Sequence, residues 1–192
     1  MEEIMKLKKT NAICALLTIL LFLVHVIYII VSYLTFSFDP FISKLIPYLA
    51  MGMVCLHAVL GMCAVFLQSD GSAAHLYPKQ NLRTILQRVS AALIFPLLIL
   101  HINTFNLLQS AASGGLWLLF GLVLTGQIFF YAVVLTHVSV SFTRAFITLG
   151  WLTDLSRQKR IDRVIYIIGA VLFAAASVIV IRTQLIMFGI GS

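Results

Sequence analysis

The sequence predicts an all-α integral membrane protein, a single domain over residues 1–192 built as a five-helix bundle with its N-terminus in the cytoplasm. Three observations predict it. The chain is 61% hydrophobic and only 10% charged, with a mean hydropathy of +1.08, whereas soluble domains carry about 25% charged residues. Its apolar residues gather into long unbroken runs, and a bilayer crossing takes about 20 of them. Its basic residues fall in short segments between alternate runs, so the net charge of +7 reads as a topology signal and not as a nucleic-acid-binding stripe.

The first run, Ala12–Leu34, follows a basic start, "MEEIMKLKKTN". That start resembles a secretory signal. The run outlasts the roughly 7–15 residues of a signal's apolar region, however, and no small-residue cleavage site follows it. It is a retained helix. Asp39-Pro40 then marks a turn before the second run, Ser43–Leu67. Asp70-Gly71 and the polar segment holding His75 lead to the third, Val89–Leu108. Gly114-Gly115 separates it from the fourth, Leu116–Val140, and "DLSRQKRID" separates that from the fifth, Val164–Ile186. Lys6, Lys8 and Lys9 precede helix 1; Lys79, Arg83 and Arg88 lie between helices 2 and 3; Arg144, Arg157, Lys159, Arg160 and Arg163 lie between helices 4 and 5. The other side holds Lys44 and Arg182. The positive-inside rule then places the N-terminus in the cytoplasm and the C-terminus outside.

Four of the five histidines, His25, His57, His101 and His137, fall one in each of the first four helices. His75 sits in a polar loop and is expected to be solvated or partner-facing. An ionisable side chain at membrane depth is costly and has a partner. A lone one is explained by a bond to a neighbouring helix; four in a row are not. At 1.5 Å per residue, His25 and His101 lie about 14 and 13 Å below the outer helix ends, His57 about 20 Å and His137 about 30 Å. The depths divide them into an outer pair, His25 with His101, and an inner pair, His57 with His137. Each pair uses helices that run in the same direction and so sit diagonally in a bundle. Two imidazoles facing across a bundle are what six-coordinate haem iron takes. A zinc or copper site needs its ligands within about 2 Å of one ion, and these depths spread the four too far for that. Gly61, Ala58, Gly121 and Gly126 are small enough to clear a flat macrocycle, or to serve close helix packing. Cys14, Cys55 and Cys63 form no Cys-x-x-Cys pair and no haem-attachment sequence. They are expected to be small buried hydrophobes, and any haem to be held non-covalently.

"LHAVLGMCAVF" (56–66) and "NLRTILQRVSAALIFPLLILH" (81–101) resemble the diheme cytochrome b anchors of succinate:menaquinone oxidoreductases of the Bacillus type and of the related fumarate reductases. The resemblance rests on a His-Ala-x-x-Gly segment in helix 2, a Gln-Arg-Val-Ser segment leading into helix 3, and "SRQKRIDRV" before helix 5. The family's glycine after Gln-Arg-Val-Ser is here Ala91, and "VSVSFTRAF" follows His137. The resemblance implies two b-type haems enclosed by the first four helices. His57 and His137 would ligate the one nearer the cytoplasm, and His25 and His101 the outer one. It also implies flavoprotein and iron–sulfur subunits on the cytoplasmic side, menaquinone as the quinone, and a place in the inner (cytoplasmic) membrane. The assembly would be a respiratory complex II serving the tricarboxylic acid cycle.

Further expectations concern single residues. Arg83, Gln87 and Arg88 are expected to dock the iron–sulfur subunit or hold propionates of the inner haem, because the arginine fork binds carboxylates bidentately. Arg88 with Ser90 is a second-choice quinone site. Asp39, the one outer-side acid, is expected to transfer protons to an outer quinone or else to cap a helix. Asn103, Thr104 and Asn106 could bond a quinone carbonyl. Two other functions fit the same composition: the cytochrome b subunit of a hydrogenase or formate dehydrogenase, and a haem-free transporter whose histidines relay protons.

Overall fold

A computed structural model describes residues 2–66 and 78–189 of the chain, so His75 and Asp70-Gly71 lie outside the described residues. Five helices follow one another: α1 (Glu2–Thr35), α2 (Ile42–Phe66), α3 (Pro78–Ser113), α4 (Trp117–Thr148) and α5 (Leu155–Met187). Each is long and apolar enough to cross a bilayer, the arrangement of a multi-pass membrane protein.

The helices outrun the apolar spans, and they do so at one end. α1 begins at Glu2, α3 at Pro78 and α5 at Leu155, while α4 continues to Thr148. At 1.5 Å per residue these extensions project about 12–16 Å past the spans. They carry the clustered lysines and arginines, which makes this the basic end of the bundle. "DLSRQKRID", expected as a break, is therefore mostly helix. Asp154 supplies the reason, because its Oδ1 accepts the Ser156 N–H at 2.9 Å and its Oδ2 the Ser156 hydroxyl at 2.8 Å, an N-cap that starts α5 early.

The other breaks work as turns. Gly115 takes φ +68°, which lets Leu116 N–H reach Ala111 O at 2.8 Å and Gly115 N–H reach Ala112 O at 3.1 Å. These two bonds close α3 as a Schellman motif. Asp39 caps α2: its Oδ1 accepts from the N–H groups of Phe41 and Ile42 at 2.9 and 2.8 Å. Tyr28, one turn beyond His25 on α1, holds the same turn, since the Asp39 N–H donates to its hydroxyl at 3.1 Å.

Around the bundle, α2 packs on α1, α1 on α4 and α4 on α3, and α5 lies against both α1 and α4. Among the described residues α1 with α3, α2 with α4 and α2 with α3 form no packed pair. Large apolar side chains point outward, among them Leu118 (80% exposed) and Ile99 (66%), while the interior buries Gln127, Gln184, Thr143 and Ser90. That distribution suits lipid surroundings, where apolar surface gains nothing from burial and interior polar groups join the helices. A compact apolar plug of Leu108, Ala111, Phe120 and Val123 seals the end opposite the basic one.

The cysteines correct one expectation. Cys14 is buried, but Cys55 and Cys63 are exposed on the apolar exterior of α2. An apolar helix in a membrane can face a thiol outward at little cost, so residue type alone does not assign it to the core.

Candidate functional site

The four mid-helix histidines meet in two pairs. The ring centres of His25 and His101 lie 6.2 Å apart with planes at 88°, and those of His57 and His137 lie 6.5 Å apart at 63°. The first pair joins α1 to α3 and the second α2 to α4, and these are the pairs that helix depth gives. An ion held between two opposed imidazole nitrogens at about 2 Å each sets the ring centres about 6 Å apart. Both separations meet that requirement. Among the described residues no group of three or more His, Cys, Asp or Glu side chains converges as a protein-only metal site would need.

The two histidines on α3 and α4 are wired to their neighbours. His101 Nδ1 lies 2.6 Å from the Gln127 amide, which also meets Tyr131 at 2.7 Å and Thr104 at 2.8 Å. Proton counting orders this cluster. As the amide stands, Gln127 Nε2 donates to the Tyr131 hydroxyl and faces His101 Nδ1, while Oε1 accepts the Thr104 hydroxyl proton, so both amide hydrogens and the amide oxygen have partners. Exchanging amide oxygen and nitrogen, which only their hydrogen-bond partners distinguish, would set the oxygen against His101 Nδ1 and hold the ring proton there, leaving Nε2 its lone pair. Phe130 stacks on the same imidazole with centres 4.8 Å apart.

His137 is held by another route. Its Nδ1 lies 3.1 Å from Ser90 Oγ and 3.2 Å from Gln87 O. Ser90 donates its one proton to Leu86 O at 2.6 Å, so both neighbours of Nδ1 are acceptors. The proton sits on Nδ1, and Nε2 is free to bind. Fixing the far nitrogen of an imidazole in this way sets its tautomer and raises its strength as a ligand. The partners on α1 and α2 differ: among the described residues Nδ1 of His25 and of His57 is buried with no hydrogen-bond partner.

The arginines of the basic end stand in different surroundings. Arg83 is a tie inside the protein. Its guanidinium pairs bidentately with Asp162 at 2.9 and 3.0 Å, and also donates to Val140 O at 2.8 Å and Thr143 Oγ1 at 2.7 Å. Thr143 is fully buried and adds its own bond to Asp162 at 2.7 Å. The arrangement joins α3, α4 and α5 and leaves little of the fork for an outside carboxylate. Gln87 hydrogen-bonds Arg144, which also reaches Thr84 at 2.8 Å. Arg88 and Ser90 are not brought together. Two positions apart on a helix they point about 200° from one another, and Arg88 is exposed while Ser90 is buried against His137.

At the opposite end Asp39 is exposed and acts as the cap described above. Asn103 bonds back to Ile99 O at 2.8 Å and Asn106 is exposed, so of the three polar residues after His101 only Thr104 turns inward. Gly126 serves close packing, since a Cβ there would stand 2.6 Å from Leu100. A Cβ on Gly61 would make ordinary contact with Asn11 at 3.7 Å, and Gly121 has open space around it. Sequence reasoning passed over Gln127, Tyr131 and Asp162. The first two carried a usable signal, two polar residues one turn apart inside an apolar run. Comparison with protein families, curated proteins and solved structures finds no match for this chain.

Proposed function

We propose that the chain is the diheme cytochrome b membrane anchor of a succinate dehydrogenase or fumarate reductase. In this reading it sits in the cytoplasmic membrane with its basic end inward. It passes electrons between an iron–sulfur subunit, itself joined to a flavoprotein, and menaquinone. The observation that carries the reading is the pair of imidazole spacings, 6.2 and 6.5 Å, each matching two axial ligands on one iron. The resemblance of residues 56–66 and 81–101 to that family supports it as well.

Two haem b groups, when bound, supply the one-electron redox chemistry. The chain's residues do the rest. His25 with His101, and His57 with His137, would hold the irons through their Nε2 atoms. With its amide oxygen turned to His101, Gln127 would keep the proton on that ring's far nitrogen, as Ser90 and Gln87 O would on His137. The apolar exterior holds the assembly in the bilayer, and the basic extensions of α1, α3, α4 and α5 offer charge to the partner subunits. Arg88 remains an exposed cation at that end. At the other end Asp39 is proposed to pass protons to an outer quinone, since Tyr28 ties its backbone within one turn of His25. The decisive test is a reduced-minus-oxidised visible spectrum of the purified protein, together with identification of its co-purifying subunits. Two b-type components beside a flavoprotein and an iron–sulfur protein are expected; no cytochrome b band ends the reading.

A further inference from the structure

A second feature lies on the outer flank of the bundle and is independent of the histidines. Two adjoining cavities of about 470 and 290 Å³ share Tyr166 and Ala170. Together they form one groove: the first runs along α5 alone from the basic end, and the second continues from Tyr166 and Ala170 into the seam between α4 and α5. Lys159 and Arg163, one helical turn apart, line its mouth, and both are exposed. Among the described residues neither lies in salt-bridge distance of a carboxylate. Asp162 also lines the mouth, but both its oxygens are taken by Arg83, so the mouth keeps its positive charge. Farther along, the floor turns small and apolar with Gly169, Ala170 and Ala132, and ends at Phe173.

We propose that this groove binds an anionic phospholipid. The phosphate would lie between Lys159 and Arg163, and one acyl chain would run down the α4/α5 seam. Three properties select that ligand. From Lys159 to Phe173 the stripe rises about 21 Å, enough to cover a headgroup and the roughly 15 Å of one hydrocarbon leaflet. The flank is lipid-facing, because Ile167 and Val171 beside it are 58% and 61% exposed. Two unpaired cations at the membrane surface, at the head of a seam between two helices, attract an anionic lipid headgroup, and a neutral isoprenoid would leave both without a partner. Tyr166 lies where headgroup and chain meet, the depth that amphipathic aromatic rings favour.

The test uses the protein extracted from its membrane with any subunits that accompany it. It is transferred into nanodiscs of phosphatidylcholine, with or without phosphatidylglycerol, and the lipid retained after detergent exchange is identified by native mass spectrometry. Wild type should retain phosphatidylglycerol over phosphatidylcholine. Lys159→Gln with Arg163→Gln should weaken retention about twentyfold, each cation at a membrane surface contributing roughly fivefold. Lys9→Gln with Arg157→Gln removes the same charge away from the groove and should change nothing. Ala170→Trp, at an exposed position, keeps the cations but fills the seam, and should also lose the lipid. Equal retention of both lipids, unchanged retention in the Lys159/Arg163 variant, or a neutral isoprenoid recovered in place of phospholipid would each overturn the proposal. So would inorganic phosphate displacing nothing from Ala170→Trp while protecting it thermally as well as phosphatidylglycerol protects wild type, because the site would then take a bare anion.

Discussion

His101 is held by a network made of side chains, whereas His137 is held by a serine hydroxyl and a main-chain carbonyl. The outer network hangs on one amide: Gln127 meets His101, Tyr131 and Thr104 at once. The inner hold has two independent acceptors on one turn of α3, Ser90 Oγ and Gln87 O. The surroundings differ too. The outer imidazoles sit among Phe130, Tyr131 and neutral amides, while Gln87 ties the inner pair to Arg144. The same ligand geometry is thus built once from replaceable side chains and once partly from backbone, and only one copy stands beside a cation. Robustness and electrostatics should therefore separate the two pairs in experiment.

The largest effect should come from the ligands. His25→Ala and His101→Ala are expected to remove one spectral component, and His57→Ala and His137→Ala the other, read in low-temperature difference spectra. Loss of the same component from His25→Ala and His57→Ala would break the division into outer and inner pairs. Next come the supports. Gln127→Leu removes the one amide that meets His101, Tyr131 and Thr104, and should weaken the outer component about 10- to 100-fold in cofactor retention. Ser90→Ala leaves Gln87 O in place and should cost the inner component less than about tenfold. Equal losses would mean that the backbone carbonyl contributes nothing to the hold.

A smaller effect is electrostatic. Removing a cation beside a centre disfavours its reduced, less positive form. Arg144→Gln should therefore lower the midpoint potential of the inner component, on the order of tens of millivolts for a partly screened charge, and leave the outer one in place. Redox titration followed at both bands checks it. The smallest effect is at Asp39. Asparagine caps as well as aspartate, so Asp39→Asn should leave thermal stability within about 0.5 kcal/mol while slowing quinone-linked turnover. Wild-type turnover with both components intact would leave Asp39 as a cap alone.

The sequence displayed the frame of this fold plainly, because membrane spans and their orientation signals are local properties. Helix depth likewise separates the four histidines, since position along a helix converts directly to distance. Other features needed packing. Arg83 and Asp162 stand in two polar segments that read as topology signals, and nothing local says that they meet. Ser90 reads as part of a motif, yet its oxygen is committed to His137. Gln127 and Gln184 share a chemistry and are both buried, and their neighbours distinguish them. Gln127 completes a network, while Gln184 meets Tyr33 at 3.1 Å and keeps an unpartnered buried oxygen. Early starts of α3 and α5 were missed because charged residues propagate a helix as readily as leucine does, which hydropathy does not register.

The tie between Arg83 and Asp162 also imposes an order on biogenesis. The two residues are 79 positions apart, so at about 5–20 residues per second Asp162 follows Arg83 out of the ribosome by roughly 4–16 s. During that interval α3 carries an arginine fork whose counter-charge does not yet exist, and the acceptors on α4, Val140 O and Thr143, arrive first. The last helix, which carries no histidine, then closes the tie that α3 and α4 have left open. A chain ended before α5 would keep all four histidines and present the quality-control machinery with an unneutralised arginine between its helices.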